Sequence, residues 1–396
     1  MFISEDIKYI GVDDTDLDLF ESQYVVPEGV SYNSYLILDE KIAVMDTADQ
    51  RKTAEWLENL EKELSGKTPD YLVISHLEPD HSGSLGLFLE KFPNVTIVAS
   101  AKAVSMLPQF VTLPETVKAE PKKEGEPLTL GKHTLTFMLA PMVHWPEVMC
   151  SYDGADKVLF SADGFGKFGA LSETPAITKA ENPELDLLED WACEARRYYF
   201  NICGKYGGPV QALLKKASAL EIQTICPLHG PVITENLEFF TGLYDTWSSY
   251  KPETEGVFIA YASIHGNTAG AAQELAKMLE EKGVRVAVSD LSRDDMAEAV
   301  EDAFRHDRMV LAASSYDAGV FSPMQDFLYR LGHKAFQNRK VALIENGSWA
   351  PSAARTMKAA LEGMKDIEIL EKVVTIKTTV TEETRKELEE LAEMLK

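Results

Sequence analysis

The sequence predicts an α/β protein in two parts, and three observations lead there. Short apolar runs of strand type alternate with amphipathic stretches along the chain. The pattern changes near residue 250, where Lys251-Pro252-Glu253-Thr254-Glu255-Gly256 forms a polar stretch of linker character. Beyond it, five strands alternate with five helices in under 150 residues, the signature of a doubly wound parallel sheet. The expected domains are therefore residues 1–250 and 251–396.

In the first part, residues 31–38 (SYNSYLIL) and 41–46 (KIAVMD) read as paired strands joined by a short Asp-Glu turn. Residues 50–64 have helical periodicity. The runs 70–75 (DYLVIS) and 95–100 (VTIVAS) have the length and apolarity of buried strands. Further strands are expected at 128–130, 134–140, 148–152, 158–162 and 224–227, and helices at 184–202, 210–220 and 234–246. In the second part the strands are 257–261, 284–289, 309–314, 340–345 and about 367–376. The helices between and after them are 268–282, 294–303, 323–332, 352–363 and 382–395.

The 396 residues are 45% hydrophobic and 26% charged, which excludes a largely disordered or fibrous chain. The formal net charge is −25, so phosphate backbones and anionic lipid are poor partners, and neither nucleic acid nor membrane is expected. No apolar run reaches transmembrane length, and the first residues lack the basic and apolar regions of a signal peptide. A cytoplasmic protein is expected. Cys150, Cys193, Cys203 and Cys226 include no C-x-x-C pair and read as reduced, mostly buried thiols.

Four of the eight histidines occur where ligands would be useful. Ser75-His76-Leu77-Glu78-Pro79-Asp80-His81 puts four possible ligands in one segment, which Pro79 keeps from being a helix face. His144, Asp163 and His229 each follow another short apolar strand. If the strands belong to one sandwich, all these groups can converge on one rim. Four imidazoles and three carboxylates exceed the needs of one ion but suit two metals sharing a carboxylate. Mixed N/O ligation without thiolate fits iron, manganese or zinc. By contrast His133 reads as a packed or surface residue, and His306 and His333 as surface residues.

At this point the sequence resembles the metallo-β-lactamase-like superfamily, whose fold is an αββα sandwich. Hydrolases of that superfamily carry His-x-His-x-Asp-His; here the second histidine is Glu78. The pattern His-x-Glu-x-Asp-His resembles one branch, the flavodiiron proteins. The intervals support the likeness: 62 residues separate His81 from His144, 18 separate His144 from Asp163, and 65 separate Asp163 from His229. So do the neighbouring residues His144-Trp145-Pro146-Glu147 and Leu228-His229-Gly230-Pro231. The resemblance implies one iron on His76, Glu78 and His144, a second on Asp80, His81 and His229, and Asp163 as the bridge. The family varies at the position of His81. Tyr198, or its neighbour Tyr199, matches a tyrosine close to the irons that would orient a bound oxygen species.

The second part carries three loops rich in small and hydroxyl residues, each after a predicted strand. Tyr261-Ala262-Ser263-Ile264-His265-Gly266-Asn267-Thr268 is neither G-x-G-x-x-G nor a Walker A loop, but it can surround a phosphate at a helix N-terminus. Ser314-Ser315-Tyr316-Asp317-Ala318-Gly319 and Asn346-Gly347-Ser348-Trp349-Ala350-Pro351 follow the third and fourth strands. In a sheet of order 2-1-3-4-5 they flank the switch point where ligands bind. This part resembles flavodoxin, which implies FMN. Ser263, His265, Gly266, Asn267 and Thr268 would hold its phosphate. Ser315, Tyr316, Asp317, Ala318 and Gly319 would line one side of the ring, and Asn346, Gly347, Ser348, Trp349 and Ala350 the other.

The likeness covers nearly the whole chain and implies reduction of dioxygen to water, or of nitric oxide to nitrous oxide. Electrons would come through FMN from rubredoxin or another reduced donor. It also implies a head-to-tail homodimer, or a dimer of dimers, because in the family each flavin serves its partner's irons. The rival readings are a metal-dependent hydrolase with a flavodoxin appendage and a flavodoxin-like electron carrier. Glu78 in place of histidine and the FMN loops count against the hydrolase.

Overall fold

The computed structural model describes residues 3–172 and 191–396. The chain divides into two compact units, Met1–Tyr199 with Gly208–Asp245, and Phe200–Gly207 with Thr246–Lys396. Among the described residues no helix is long and apolar enough to cross a membrane.

The first unit contains two packed sheets. One has six strands in the order Ile7–Tyr9, Tyr35–Ile37, Ala43–Met45, Tyr71–Val73, Thr96–Ser100, Lys118–Lys122. The other has five, Pro127–Thr129, Thr134–Leu139, Met149–Asp153, Val158–Phe160 and Thr224–Cys226. Alternate residues of the two sheets meet in one core: Tyr35, Ile37, Ala43, Met45, Val73 and Val98 from the first, Leu135, Phe137, Met149, Val158 and Phe160 from the second. The intervening residues Leu36, Val44, Leu72 and Ile97 are also buried, so the first sheet is covered on both faces. This is the sandwich that the sequence predicts, with helices such as Thr53–Leu64 outside it.

Several elements differ from expectation for local reasons. The strand expected at 31–38 is two strands, Val30–Tyr32 and Tyr35–Ile37, pairing with different partners. The break falls at Asn33, which bonds elsewhere: its N–H donates to Leu228 O at 2.8 Å, and its side-chain amide donates to Pro227 O and Gly230 O at 2.9 and 2.8 Å. Short strands at Val12–Asp14, Leu19–Phe20 and Tyr24–Val25, and the strand Lys118–Lys122, carry too little apolar sequence to be noticed. The helices Leu85–Lys91 and Ala101–Met106 were likewise not expected. The helix expected at 184–202 is seen as Ala192–Ile202, its earlier portion lying outside the described residues.

The second unit has a parallel sheet in the order Val286–Asp290, Thr254–Ala262, His306–Tyr316, Arg339–Asn346, Ile367–Ile376. Numbered by sequence this is 2-1-3-4-5, and all five predicted helices are present. Thr254–Ala262 begins inside the stretch read as linker, because Thr254 already pairs with His306. His306 is a correction. It is 3% exposed, stacks on Phe258 at 6.3 Å, and directs Nδ1 to Asp302 O at 2.9 Å. A histidine at a strand start after a polar helix end looks exposed in sequence, but register puts it inside.

Asn33 is the tie between the sandwich and the loop after its last strand. Asn33→Ala should leave Gly230 O without this donor, while Pro227 O keeps the Tyr35 hydroxyl at 2.6 Å, and cost roughly 1–3 kcal/mol in the first unit, read by urea unfolding.

Candidate functional site

The first sheet supplies its ligands through the loop after Tyr71–Val73. The neighbouring parallel strand Ala43–Met45 ends at Asp46, which accepts from Ser75 N and Ser75 Oγ, both at 2.7 Å. Burial holds the Asp46 carboxyl up at about 6 against those bonds. Leu77 N donates to Glu147 Oε1 at 3.0 Å, and Thr47 Oγ1 donates to His81 O at 2.7 Å. Pro79 does not merely break the segment. It opens the helical turn Pro79–Ser82, where its missing N–H costs nothing, and Glu78 precedes the turn as N-cap. The turn is what brings Asp80 and His81 beside His76.

Register aligns the remaining groups. Phe160 pairs with Cys226 in parallel, so Asp163 and His229, each three residues further on, leave the second sheet at the same end. Leu139 pairs with Met149 at that end too, and the intervening loop carries His144. Met149 N donates to Ser75 O at 2.9 Å, joining the two sheets beside the site. His229 Nδ1 donates to Ser31 O at 2.7 Å, which leaves Nε2 facing the cluster with its lone pair.

All seven groups meet in one place, in two sets. His144 Nε2 lies 2.8 Å from Glu78 Oε2 and 3.1 Å from Asp163 Oδ2, and His76 Nε2 lies 3.2 Å from Asp163 Oδ2. His229 Nε2 lies 3.1 Å from Asp80 Oδ2, and His81 Nε2 lies 3.3 Å from the same oxygen. The Nε2 atoms of His81 and His229 face one another at 3.0 Å. Asp163 Oδ1 points to this second set, 3.8 Å from His81 Nε2 and 3.9 Å from His229 Nε2. One carboxylate thus offers one oxygen to each set.

Two donors on one ion, at about 2.1 Å and with octahedral to tetrahedral angles, stand roughly 3.0–3.4 Å apart. The observed separations fall around that range. Both ring nitrogens of His76, both oxygens of Asp80 and Asp163 Oδ1 are buried without a hydrogen-bond partner. Such atoms are costly unless a cation satisfies them, so the residues fit a metal pair.

Electrostatics agrees. Burial pushes the Glu78 carboxyl up, but His144 and His76 outweigh it and hold it at about 2. Asp163 is likewise held well below the carboxylate range by His76 and His144 despite its burial. Burial opposes charge on His144, yet Asp163 and Glu78 lift it to about 10. Burial, reinforced by Glu78, raises Asp80 to about 6. His81 is pushed down by burial and by His229 and His76. Its ring therefore stands neutral, as a ligand must.

Tyr198 and Tyr199 separate clearly. Both are buried, but the Tyr198 ring is 5.5 Å from the His229 ring, whereas Tyr199 packs on Tyr244 at 5.2 Å. Phe20, at 5.4 Å, also flanks His229, and Trp145 flanks both His76 and His144 at 6.4 Å. Phe20 was not foreseen, since nothing in a two-residue strand marks a contact with residue 229.

In the second unit a cleft of about 600 Å³ opens at the C-terminal ends of the strands. It is lined by Ser263, His265, Asn267 and Thr268 on one side, and by residues 315–318 and 346–350 on the others. Gly266 and Gly319 do not line it. Gly266, at φ +88°, caps the helix Asn267–Glu281, and Gly319 pairs with Tyr316. Gly347 admits no side chain, because a Cβ there would lie 2.7 Å from Pro351 Cα. Trp349 is 92% exposed and Tyr316 51% exposed, and both line the cleft. Ile264, Ser314, Ser352, Arg355 and Thr378 also line the cleft and were missed. Thr378 follows the fifth strand, in a loop whose hydroxyl residues Thr378, Thr379 and Thr381 are the same signal as in the other three.

Fold and sites together define a metal-binding β-lactamase-like unit joined to a flavodoxin unit. Residues 30–230 match the family model described as ODP family beta lactamase, and residues 259–391 match that of flavodoxin. The chain is 29% identical over 365 residues to an anaerobic nitric oxide reductase flavorubredoxin of Vibrio vulnificus, covering 91% of this chain and 72% of that one. It spans 48% and 56% of the length of two diflavin flavoproteins that it also matches. The fold superposes on rubredoxin oxygen:oxidoreductase of Desulfovibrio gigas with TM-score 0.90 and 24% identity, covering 100% of this chain and 97% of that one. A flavo di-iron protein variant of Thermotoga maritima gives TM-score 0.89 and 26% identity, with coverage of 100% and 96%. The chain belongs to the ODP beta-lactamase family and has the fold of the flavodiiron proteins.

His144, lifted to about 10, keeps its proton at neutral pH in the metal-free protein. Its contribution to stability is complete below the ordinary imidazole value of 6.5 and is lost as pH rises through about 10. Metal must expel that proton, so the affinity of metal-free protein for ferrous ion should rise about tenfold per pH unit for each proton displaced. Calorimetry in buffers of different ionisation enthalpy checks this; equal heats in all buffers would refute it.

Proposed function

We propose that this chain is an oxidoreductase reducing dioxygen to water, nitric oxide to nitrous oxide, or both, at a non-haem diiron site supplied with electrons through FMN. The observation that carries the reading is Asp163, with one carboxylate oxygen toward each of two His/carboxylate sets. In this reading His76, Glu78 and His144 hold one iron, Asp80, His81 and His229 hold the other, and Asp163 bridges. The iron pair and the flavin together supply multi-electron reduction of a small diatomic molecule.

The chain's own residues do the rest. Ser31 fixes the His229 tautomer through its carbonyl. Asp46 and Glu147 hold the backbone of the loop bearing His76 and Glu78. The rings of Phe20, Tyr198 and Trp145 keep water from the back of the imidazoles. Tyr198 serves as the phenol that orients an oxygen species. In the second unit Ser263, His265, Asn267 and Thr268 hold the flavin phosphate, and Gly266 caps the helix that begins there. Residues 315–318 and 346–350, Trp349 among them, enclose the ring. The metal domain is taken as residues 1–250 and the flavin domain as 251–396.

The names of relatives guide the remaining assignments. One is called a nitric oxide reductase and one a rubredoxin oxygen:oxidoreductase, so both gases are substrates to test and rubredoxin is the first donor to test. We place the protein in the cytoplasm and assemble it as a head-to-tail homodimer or a dimer of dimers, each flavin serving the partner's irons.

Anaerobically reduced protein, mixed rapidly with nitric oxide or dioxygen, should reoxidise much faster than a free flavodoxin, without release of peroxide. His76→Ala should abolish that advantage while flavin binding persists. Reoxidation no faster than flavodoxin, or peroxide as the main product, would sink the reading. Co-expression of His76→Ala with Thr268→Glu chains should restore activity that neither has alone; a silent mixture would show that each flavin serves its own chain.

A further inference from the structure

A third set of imidazole and carboxylates lies at the other end of the second sheet. His133 precedes Thr134–Leu139, and Asp153 ends Met149–Asp153, pairing with Leu135. Met149, four residues back along the same strand, is the residue that bonds Ser75 at the diiron end. The two places are therefore about 13 Å apart along the strand. One donor atom from each of His133, Asp153 and Asp156 lies within 4.8 Å of the others.

The geometry has the features that mark the diiron site. His133 Nδ1 is 3.1 Å from Asp153 Oδ2, matching the imidazole–carboxylate spacings there. His133 Nε2 is 3.3 Å from Asp6 Oδ2, so that nitrogen can carry the proton and donate it to a carboxylate. That is how a ligating histidine is usually oriented, the free nitrogen facing the metal. The Asp153 side chain is fully buried, and its Oδ1 has no hydrogen-bond partner; Asp156 Oδ2 is buried without one as well.

A protonated His133 bridging Asp153 and Asp6 does not account for this. It serves Asp153 Oδ2 and Asp6 only, and Asp153 Oδ2 already accepts from Asp156 N at 2.8 Å. Lys132 does not account for it either. Its Nζ lies 2.7 Å from Asp6 Oδ2 and 3.6 Å from Asp156 Oδ1, leaving the two orphaned oxygens unserved. Asp39 is engaged with the backbone N–H of His133.

We propose that His133, Asp153 and Asp156 form a third metal site, separate from the diiron centre, that takes a divalent transition ion of the zinc type. One imidazole with carboxylate oxygens suits such an ion, and remaining positions are open to water. Asp153 sits on the second sheet, while the Asp6 that orients His133 adjoins the edge strand Ile7–Tyr9 of the first. A bound ion holds His133, Asp153 and Asp156 together and fixes the ring that donates to Asp6, and so acts on stability.

The test is zinc titration of the iron-loaded protein, followed by desalting and elemental analysis, with thermal midpoints recorded in parallel. Wild type should keep two irons per chain, gain one zinc and melt higher with zinc. Asp156→Asn, in a partly exposed turn, should keep its irons, its reductase activity and its fold, and show neither zinc nor the rise. His133→Gln should do the same. Absence of a zinc equivalent in wild type overturns the proposal, as does equal zinc in Asp156→Asn or zinc gained only as iron is lost. Because iron is counted separately, a failure here is distinct from a failure of the diiron reading.

Discussion

Glu78, Asp80 and Asp163 place three carboxylates among four imidazoles in a nearly dry pocket. Burying that much negative charge is unfavourable unless cations meet it at close range. The surrounding architecture answers to this demand. Strand ends from both sheets stop short so that loops can turn their side chains inward. Backbone groups of Ser31, Ser75 and Leu77 are tied down so that the ring nitrogens and oxygens cannot turn toward other partners. The shared carboxylate of Asp163 is the centre of this arrangement, since among the described ligands its two oxygens face the two halves.

The second unit solves a simpler problem by simpler means. Its cleft comes from the topology of the sheet, with strand order reversing beside the first strand. Small residues and a helix N-terminus then suffice to receive a phosphate. Trp349 and Tyr316 stand at the mouth of the cleft, where a planar ring can stack on them.

The two units were unequally legible in the sequence. In the flavodoxin-like unit the five parallel strands and the five helices were readable, because each βα unit is local, whereas the two-residue strand Gly319–Val320 was not. In the sandwich, the strands that carry ligands were readable, but Lys118–Lys122 and the first short strands were not. Their residues are polar or few, and long-range pairing makes them strands. The ligand types and their strand-end setting were visible, whereas the Pro79 turn and the packing of Phe20 on His229 depend on tertiary geometry. Asn33 was hidden for the same reason: an asparagine inside an apolar run looks like a poor strand residue, not a tether.

The tether has a consequence for how the protein is made. Asn33 bonds to Pro227 across 194 residues of chain, and His229 needs the carbonyl of Ser31. The cluster at His76 through His81 leaves the ribosome early, yet the groups that complete the second half arrive only once residue 229 has emerged and docked. Contacts of such sequence separation form late. The second half of the cluster therefore closes only after the last strand of the sandwich has docked, so the two metal positions are complete only late in folding.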